Sequence, residues 1–298
     1  MYDVKETIRW NKPQFIRYIL WTFSTAWIVQ IIASVFSNQG NQLAFTLLMS
    51  LCMYMPFLGT VLAKISLREM GWKPKFKGNL RFIAAAMWGP AVFHILGGVL
   101  YFVIFPDRLD FTGKYLESIA GTEAVAEMTA QGITIPLYLV ITLITSLTYA
   151  PLINMFVALG EEVGWRGAMQ PMLNDRFGKR TGRILGGVIW GAWHWPVIIL
   201  AGYEYGKVYF GAPLLGMAVF CLFTVACGTL IDVLYEKTDC IWIPALAHGA
   251  VNGFALEAMV LDPVYADQMI LGPHPVGLIA MVPALIAAGV ILFRKGGK

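Results

Sequence analysis

Eight apolar runs of spanning length follow one another along the chain, at residues 15–36, 43–65, 81–105, 133–159, 184–201, 213–234, 241–261 and 275–293. A helix needs ~20 apolar residues to cross a hydrocarbon core, and a segment in lipid must satisfy its own backbone polar groups. The pattern predicts an all-α, polytopic membrane protein of about eight transmembrane helices. Composition agrees: 58% of the 298 residues are hydrophobic and 13% are charged, with a mean hydropathy of +0.65, whereas soluble domains carry about 25% charged residues. No repeat, low-complexity tract or second domain interrupts the series, so residues 1–298 read as one membrane domain.

An even number of crossings puts both termini on one side. Basic residues favour the cytoplasmic side, and of the 22 Lys and Arg residues all but Arg108, Lys114 and Lys207 fall where an inside amino terminus makes the segments cytoplasmic. Lys5, Arg9, Lys12 and Arg17 lead the first run, and Arg294, Lys295 and Lys298 follow the last. The sequence therefore predicts cytoplasmic N- and C-termini in an integral, multi-pass protein, of the cell membrane if the source is prokaryotic. The first run is longer than the roughly 7–15 residues of a signal-peptide core, so it reads as an uncleaved helix. The net charge of +4 is accounted for by this bias and implies no nucleic acid; the predicted surroundings are membrane lipid. Cys52, Cys221, Cys227 and Cys240 contain no CxxC pair, which argues against a disulfide framework or a thiolate metal site.

Between the third and fourth runs, the polar stretch from Pro106 to Gln131 predicts an outer loop with an amphipathic helix over 113–130. The fourth run is interrupted by Pro136, Pro151, Gly160 and Gly164, and the region up to Phe177 is too long for one straight span. Breaks of this kind are tolerated where they are buried in protein or line a wet cavity.

At this broken region stands Gly160-Glu161-Glu162-Val163-Gly164-Trp165-Arg166-Gly167. Ionisable groups at membrane depth are costly and point to function. Glu162 and Arg166, four apart, share a helical face and form a natural ion pair, while Glu161 projects about 100° away and is left free. Two later runs carry polar insertions of the same spacing: Trp190 and His194, then His248 and Asn252, with small residues between the partners. Three helices would thus offer Glu161, His194, His248 and Asn252 to one internal cavity. That set suits peptide hydrolysis, since a carboxylate takes a proton from water, imidazoles orient that water, and an amide N–H holds an oxyanion. There is no GxSxG elbow and no HExxH motif. His94 and His274 have no partner at helical spacing and read as structural, Glu257 reads as an interfacial charge, and Trp165, Trp193 and Trp195 read as packing or interface anchors.

EExxxR (Glu161, Glu162, Arg166), aromatic-xxx-His (Trp190, His194) and HxxxN (His248, Asn252), in this order, resemble the three motifs of the CAAX protease and bacteriocin-processing family of intramembrane endopeptidases. The motif core is 161–252. The resemblance implies an eight-span helical fold with a cavity open toward the cytosol and the side of the bilayer. It implies Glu161 as base, Glu162 and Arg166 as a structural pair, His194 and His248 positioning water, and Asn252 donating to an oxyanion. Trp190 stands where the family often has Phe, and either ring would pack beside the site. The implied substrate is a membrane-associated peptide or a lipidated, for example prenylated, protein.

Three other readings stand beside this one. A transporter would use Glu161 and the histidines as an ion path, although no two related halves are visible. A non-catalytic scaffold would be expected to lack one of the motif residues, yet all are filled. A zinc protease would use Glu161, His194 and His248 as ligands. No cofactor is predicted: if Glu161 bound zinc, no second free carboxylate in the motifs would remain to act as base.

Overall fold

The computed structural model describes residues 8–294. Lys5, Lys295 and Lys298, counted above, lie outside them. Helix α1 (Lys12–Asn38) begins at Asn11, whose side chain accepts from the Gln14 N–H at 3.1 Å, with Pro13 in the first turn where its missing N–H is harmless. Its buried stripe is small or polar (Thr22, Ala26, Gln30, Ala33, Ser34), while Leu20, Ile28, Ile31 and Val35 face outward. Water would not tolerate so large an apolar exterior, but lipid does, and small inward residues let membrane helices approach closely.

Helices α2 (Gln42–Cys52) and α3 (Met55–Leu62) form one broken stretch, and α4 (Leu80–Ile104) follows. Where the sequence predicts one amphipathic helix over 113–130, there are two, α5 (Lys114–Ala120) and α6 (Thr122–Ala130). They are separated by Gly121, whose φ of 89° lies in the left-handed half of conformational space that glycine alone enters freely. Next come α7 (Ile135–Leu147) and α8 (Tyr149–Glu162). Pro151 cannot donate to the Leu147 carbonyl, and the Trp88 indole takes that acceptor at 3.0 Å. A wide, π-type turn, Val163–Met169, then leads into α9 (Gln170–Trp193), which leaves helical geometry at Gly178 (φ 77°). The chain finishes with α10 (Trp195–Ala201), α11 (Leu214–Thr238), α12 (Trp242–Asn252), α13 (Leu256–Met259) and α14 (Val282–Phe293).

Among the described residues, five stretches are long and apolar enough to cross a membrane, and the pair α6–α7, bent by 93°, makes up to six. One of the five, Tyr149–Ala201, has 53 residues. At ~1.5 Å per residue it is far longer than a ~30 Å hydrocarbon core, so it folds back, and Gly178 is where its backbone permits this. The runs at 241–261 and 275–293 fold as the shorter helices α12 and α14.

Charged side chains gather at the two ends of the bundle. At one end Lys75 pairs with Asp239, Lys179 with Glu236, and Arg183 with Asp232, the Trp10 N–H donates to Asp175, and Arg180 lies over the Phe293 ring. At the other, Lys207 bonds Asn38, Lys114 pairs with Asp262, and His274 lies 3.4 Å from Glu204. The segments sort as the basic-residue pattern groups them.

Candidate active site

Helices α8 and α12 lie backbone to backbone, because Gly249 has no Cβ to strike the Met155 N–H and the Pro151 carbonyl. Helices α9 and α11 are equally close, with Gly187 against the Val225 backbone and Gly191 against Cys221. The small residues between motif partners are thus occupied by neighbouring helices. This approach brings the three motifs together.

The two adjacent carboxylates have different partners. Glu162 is fully buried, and its Oε1 accepts from Arg166 Nη1 at 2.8 Å and from His248 Nδ1 at 2.7 Å. Arg166 also donates to the Gly228 carbonyl at 3.4 Å and lies 4.6 Å over the Trp190 ring, a cation–π contact. The expected Glu162–Arg166 pair is present, and His248 is a third member that four-residue spacing does not reveal. Glu161 is also buried, and its Oε2 accepts from the indoles of Trp165 at 2.9 Å and Trp190 at 2.7 Å. Its Oε1 accepts no hydrogen bond from the described residues, and the side chain lines a cavity.

Both histidines turn the same atom away from their partners. His194 Nδ1 lies 3.1 Å from the Trp190 carbonyl, which can only accept, so that nitrogen carries the proton and Nε2 keeps a lone pair. His248 is oriented alike through Glu162. His194 ends α9 at a helix break, and the break has its own brace: the amide of fully buried Gln30 donates to the Trp193 carbonyl at 2.9 Å and accepts from the Val197 N–H at 3.3 Å. In an unbroken helix those two backbone groups would bond each other. Gln30 therefore substitutes for the lost bond.

Glu161, Trp190, His194, His248 and Asn252 all line one cavity of about 340 Å³, walled by apolar side chains such as Met49, Phe220 and Phe223. Asn252, the last residue of α12, is exposed there with no side-chain hydrogen bond among the described residues. The site thus gathers three proton acceptors and one free amide. As to the zinc alternative, Glu161, His194 and His248 share the cavity, but among the described residues no three His, Cys, Asp or Glu side chains converge closely enough to hold a metal ion. The four cysteines are free thiols, three of them buried.

Several sequence readings need correction. Trp165 packs in the core, one of the two roles read for it, but it is also a donor to Glu161, and its position four residues on was the available clue. Trp190 does more than pack, since its N–H holds the same oxygen and a phenylalanine would not. Glu257 is not an interfacial charge: it is 5% exposed and sits 2.8 Å from His94 Nδ1 across 163 residues of sequence. Tyr203 and Glu204, which no motif marks, also line the cavity, as does His274. Burial, with the Glu204 carboxylate beside it, holds the Tyr203 phenol well above the usual tyrosine range.

No curated protein matches the chain closely enough to count as a relative. The family comparison is positive: residues 132–254 match the model described as type II CAAX prenyl endopeptidase Rce1-like. All three motifs lie inside those residues, which are less than half of the chain, and its several apolar helices point to an integral membrane protein.

Proposed function

We propose that the chain is an intramembrane endopeptidase in which Glu161 activates water. The observation that carries this reading is the difference between neighbouring carboxylates: Glu162 is paired with Arg166 and does not line the cavity, whereas Glu161, one oxygen of which accepts no hydrogen bond from the described residues, lines it together with two histidines and an unpaired amide. A scaffold would need no such bare oxygen.

In this mechanism His194 and His248 orient a water through Nε2 while Glu161 Oε1 takes its proton, and the hydroxide oxygen bonds to the substrate carbonyl carbon. The carbonyl oxygen becomes an oxyanion, held by the Asn252 amide N–H. Glu161 returns the proton to the leaving nitrogen as the C–N bond breaks, which frees an amine and a carboxylate. Trp165 and Trp190 fix the Glu161 carboxylate through its other oxygen. The substrate on this reading is a membrane-associated peptide or lipidated protein.

The topology we propose is eight crossings of a single domain with both termini cytoplasmic, in the cell membrane if the source is prokaryotic. It is supported by the distribution of basic residues and by the grouping of the same segments at one end of the bundle. The testing experiment is a peptidomic comparison of membranes containing wild-type protein with membranes containing Glu161→Ala. Peptides that depend on Glu161 are expected. Identical peptide sets at equal protein levels would remove the proposal.

A further inference from the structure

We infer that the buried His94–Glu257 pair is a positioning device for the site: it fixes the chain that leaves α12, and with it the side chain of Asn252. The inference rests on the protease reading above, in which Asn252 holds the oxyanion, and adds two residues to it. Asn252 is the last residue of α12, and its amide has no hydrogen-bond partner among the described residues to set its direction. Its placement therefore depends on how the backbone around it is held. On one side Gly253 lies close against α8, where an added Cβ would come within 3.2 Å of Ala150. On the other, five residues after Asn252, Glu257 Oε1 lies 2.8 Å from His94 Nδ1 on α4, and both side chains are buried. The carboxylate only accepts, so Nδ1 donates. Gly98, one turn after His94, lets α13 come this close, since a Cβ there would stand 3.2 Å from Glu257 Cβ. Between the two anchors, Phe254 is buried with its ring centroid 4.9 Å from that of His94, and it lines the same cavity as Asn252.

Stability alone does not account for this pair. Glu257 Oε2 and His94 Nε2 are buried with no hydrogen-bond partner among the described residues, and apolar side chains of similar volume often match or exceed a buried polar pair in stability. What the pair has and an apolar contact lacks is direction. Its 2.8 Å bond fixes the four-residue helix α13 against α4, and a helix that short does not hold its own course. An oxyanion donor is effective only when aimed at the place where charge develops, so the tether five residues on serves Asn252. Neither His94 nor Glu257 lies within 132–254, so the pair stands outside the stretch that matches the family model.

Two measurements test it, and the first needs no turnover. Full-length protein carrying Asn252→Cys, with half-buried Cys221 changed to Ser, is spin-labelled at 252, and its nitroxide spectrum is compared with that of the same protein carrying Glu257→Leu. Where Glu257→Leu alone does not fold, His94→Leu is added so that no polar atom of the pair is stranded. Faster nitroxide motion without the pair is the expected result, and identical spectra overturn the inference. The second measurement is turnover of a Glu161-dependent peptide. Loss of the pair should lower kcat ~10–100-fold with KM little changed, because the oxyanion forms only on the way through the transition state. Glu257→Gln, which can still accept from Nδ1, should recover most of that loss. In an Asn252→Ala background, removing the pair should lower kcat no further. A full additional loss in that background would mean that the pair supports the fold at large, and would overturn the inference. Absence of any Glu161-dependent peptide would remove the protease reading and leave the spectra to decide whether the pair fixes Asn252.

Discussion

Glu162→Gln is predicted to cost far more than its conservative shape suggests. The glutamate is fully buried, and one oxygen serves both Arg166 and His248. A neutral amide can still accept from the 3%-exposed Arg166 but leaves its charge without a counter-charge, with a 3.4 Å carbonyl contact and the Trp190 face as its other partners. Uncovering one member of a buried pair costs ~3–5 kcal/mol, and the remaining cation–π contact offsets ~2 at most. The expected loss is therefore ~1–5 kcal/mol, or a fall in unfolding midpoint of roughly 2–20 °C on the scale for chains of this size. Thermal unfolding of the purified protein in detergent reads it. Lys179→Met is the control: it breaks a shorter contact, 2.6 Å to Glu236, at the surface, where such pairs contribute ~0–1 kcal/mol. Arg166→Met added to Glu162→Gln should recover part of the loss, because no buried charge is then left alone. A Glu162→Gln midpoint no lower than that of Lys179→Met would refute the reasoning.

Further outcomes follow from other contacts. Gln30→Leu strands the Val197 N–H at the α9–α10 break, a cost of ~1–3 kcal/mol, while the Trp193 carbonyl keeps the Trp27 indole at 3.2 Å, and it should lower activity through His194 as well as the unfolding midpoint. Trp190→Phe keeps the ring over Arg166 but removes the N–H that holds Glu161, so turnover should fall with little change in midpoint, whereas Trp190→Leu should lower both. At the basic-poor end, the Lys114 hydrogen bond and the Val264 N–H hold the Asp262 carboxyl below its usual range. A depressed folded value means that this tie is fully present above the ordinary carboxylate pKa of ~3.9 and is lost as pH falls through the lower folded value; hydrogen exchange at 107–114 should rise only in that acid window. Exhaustive chelation should leave activity intact, and a loss restored by zinc would reassign Glu161, His194 and His248 as ligands.

Much of this architecture was legible in the sequence because lipid enforces long apolar helices, and because partners four residues apart must share a face. That logic found Glu162 with Arg166 and placed Trp190 beside His194. It failed where partners are distant in sequence, as with His94 and Glu257 or Gln30 and the His194 break, since no local period records such contacts. It also misjudged 113–130, where one glycine outweighed the amphipathic pattern.

The most direct test of the central claim is turnover of a Glu161-dependent peptide by purified Glu161→Gln protein. The amide keeps the shape and can still accept from Trp165 and Trp190, but it cannot take a proton from water. The account predicts a turnover loss of ~10²–10⁴ at an unfolding midpoint close to that of the wild type. Turnover at the wild-type rate would contradict it.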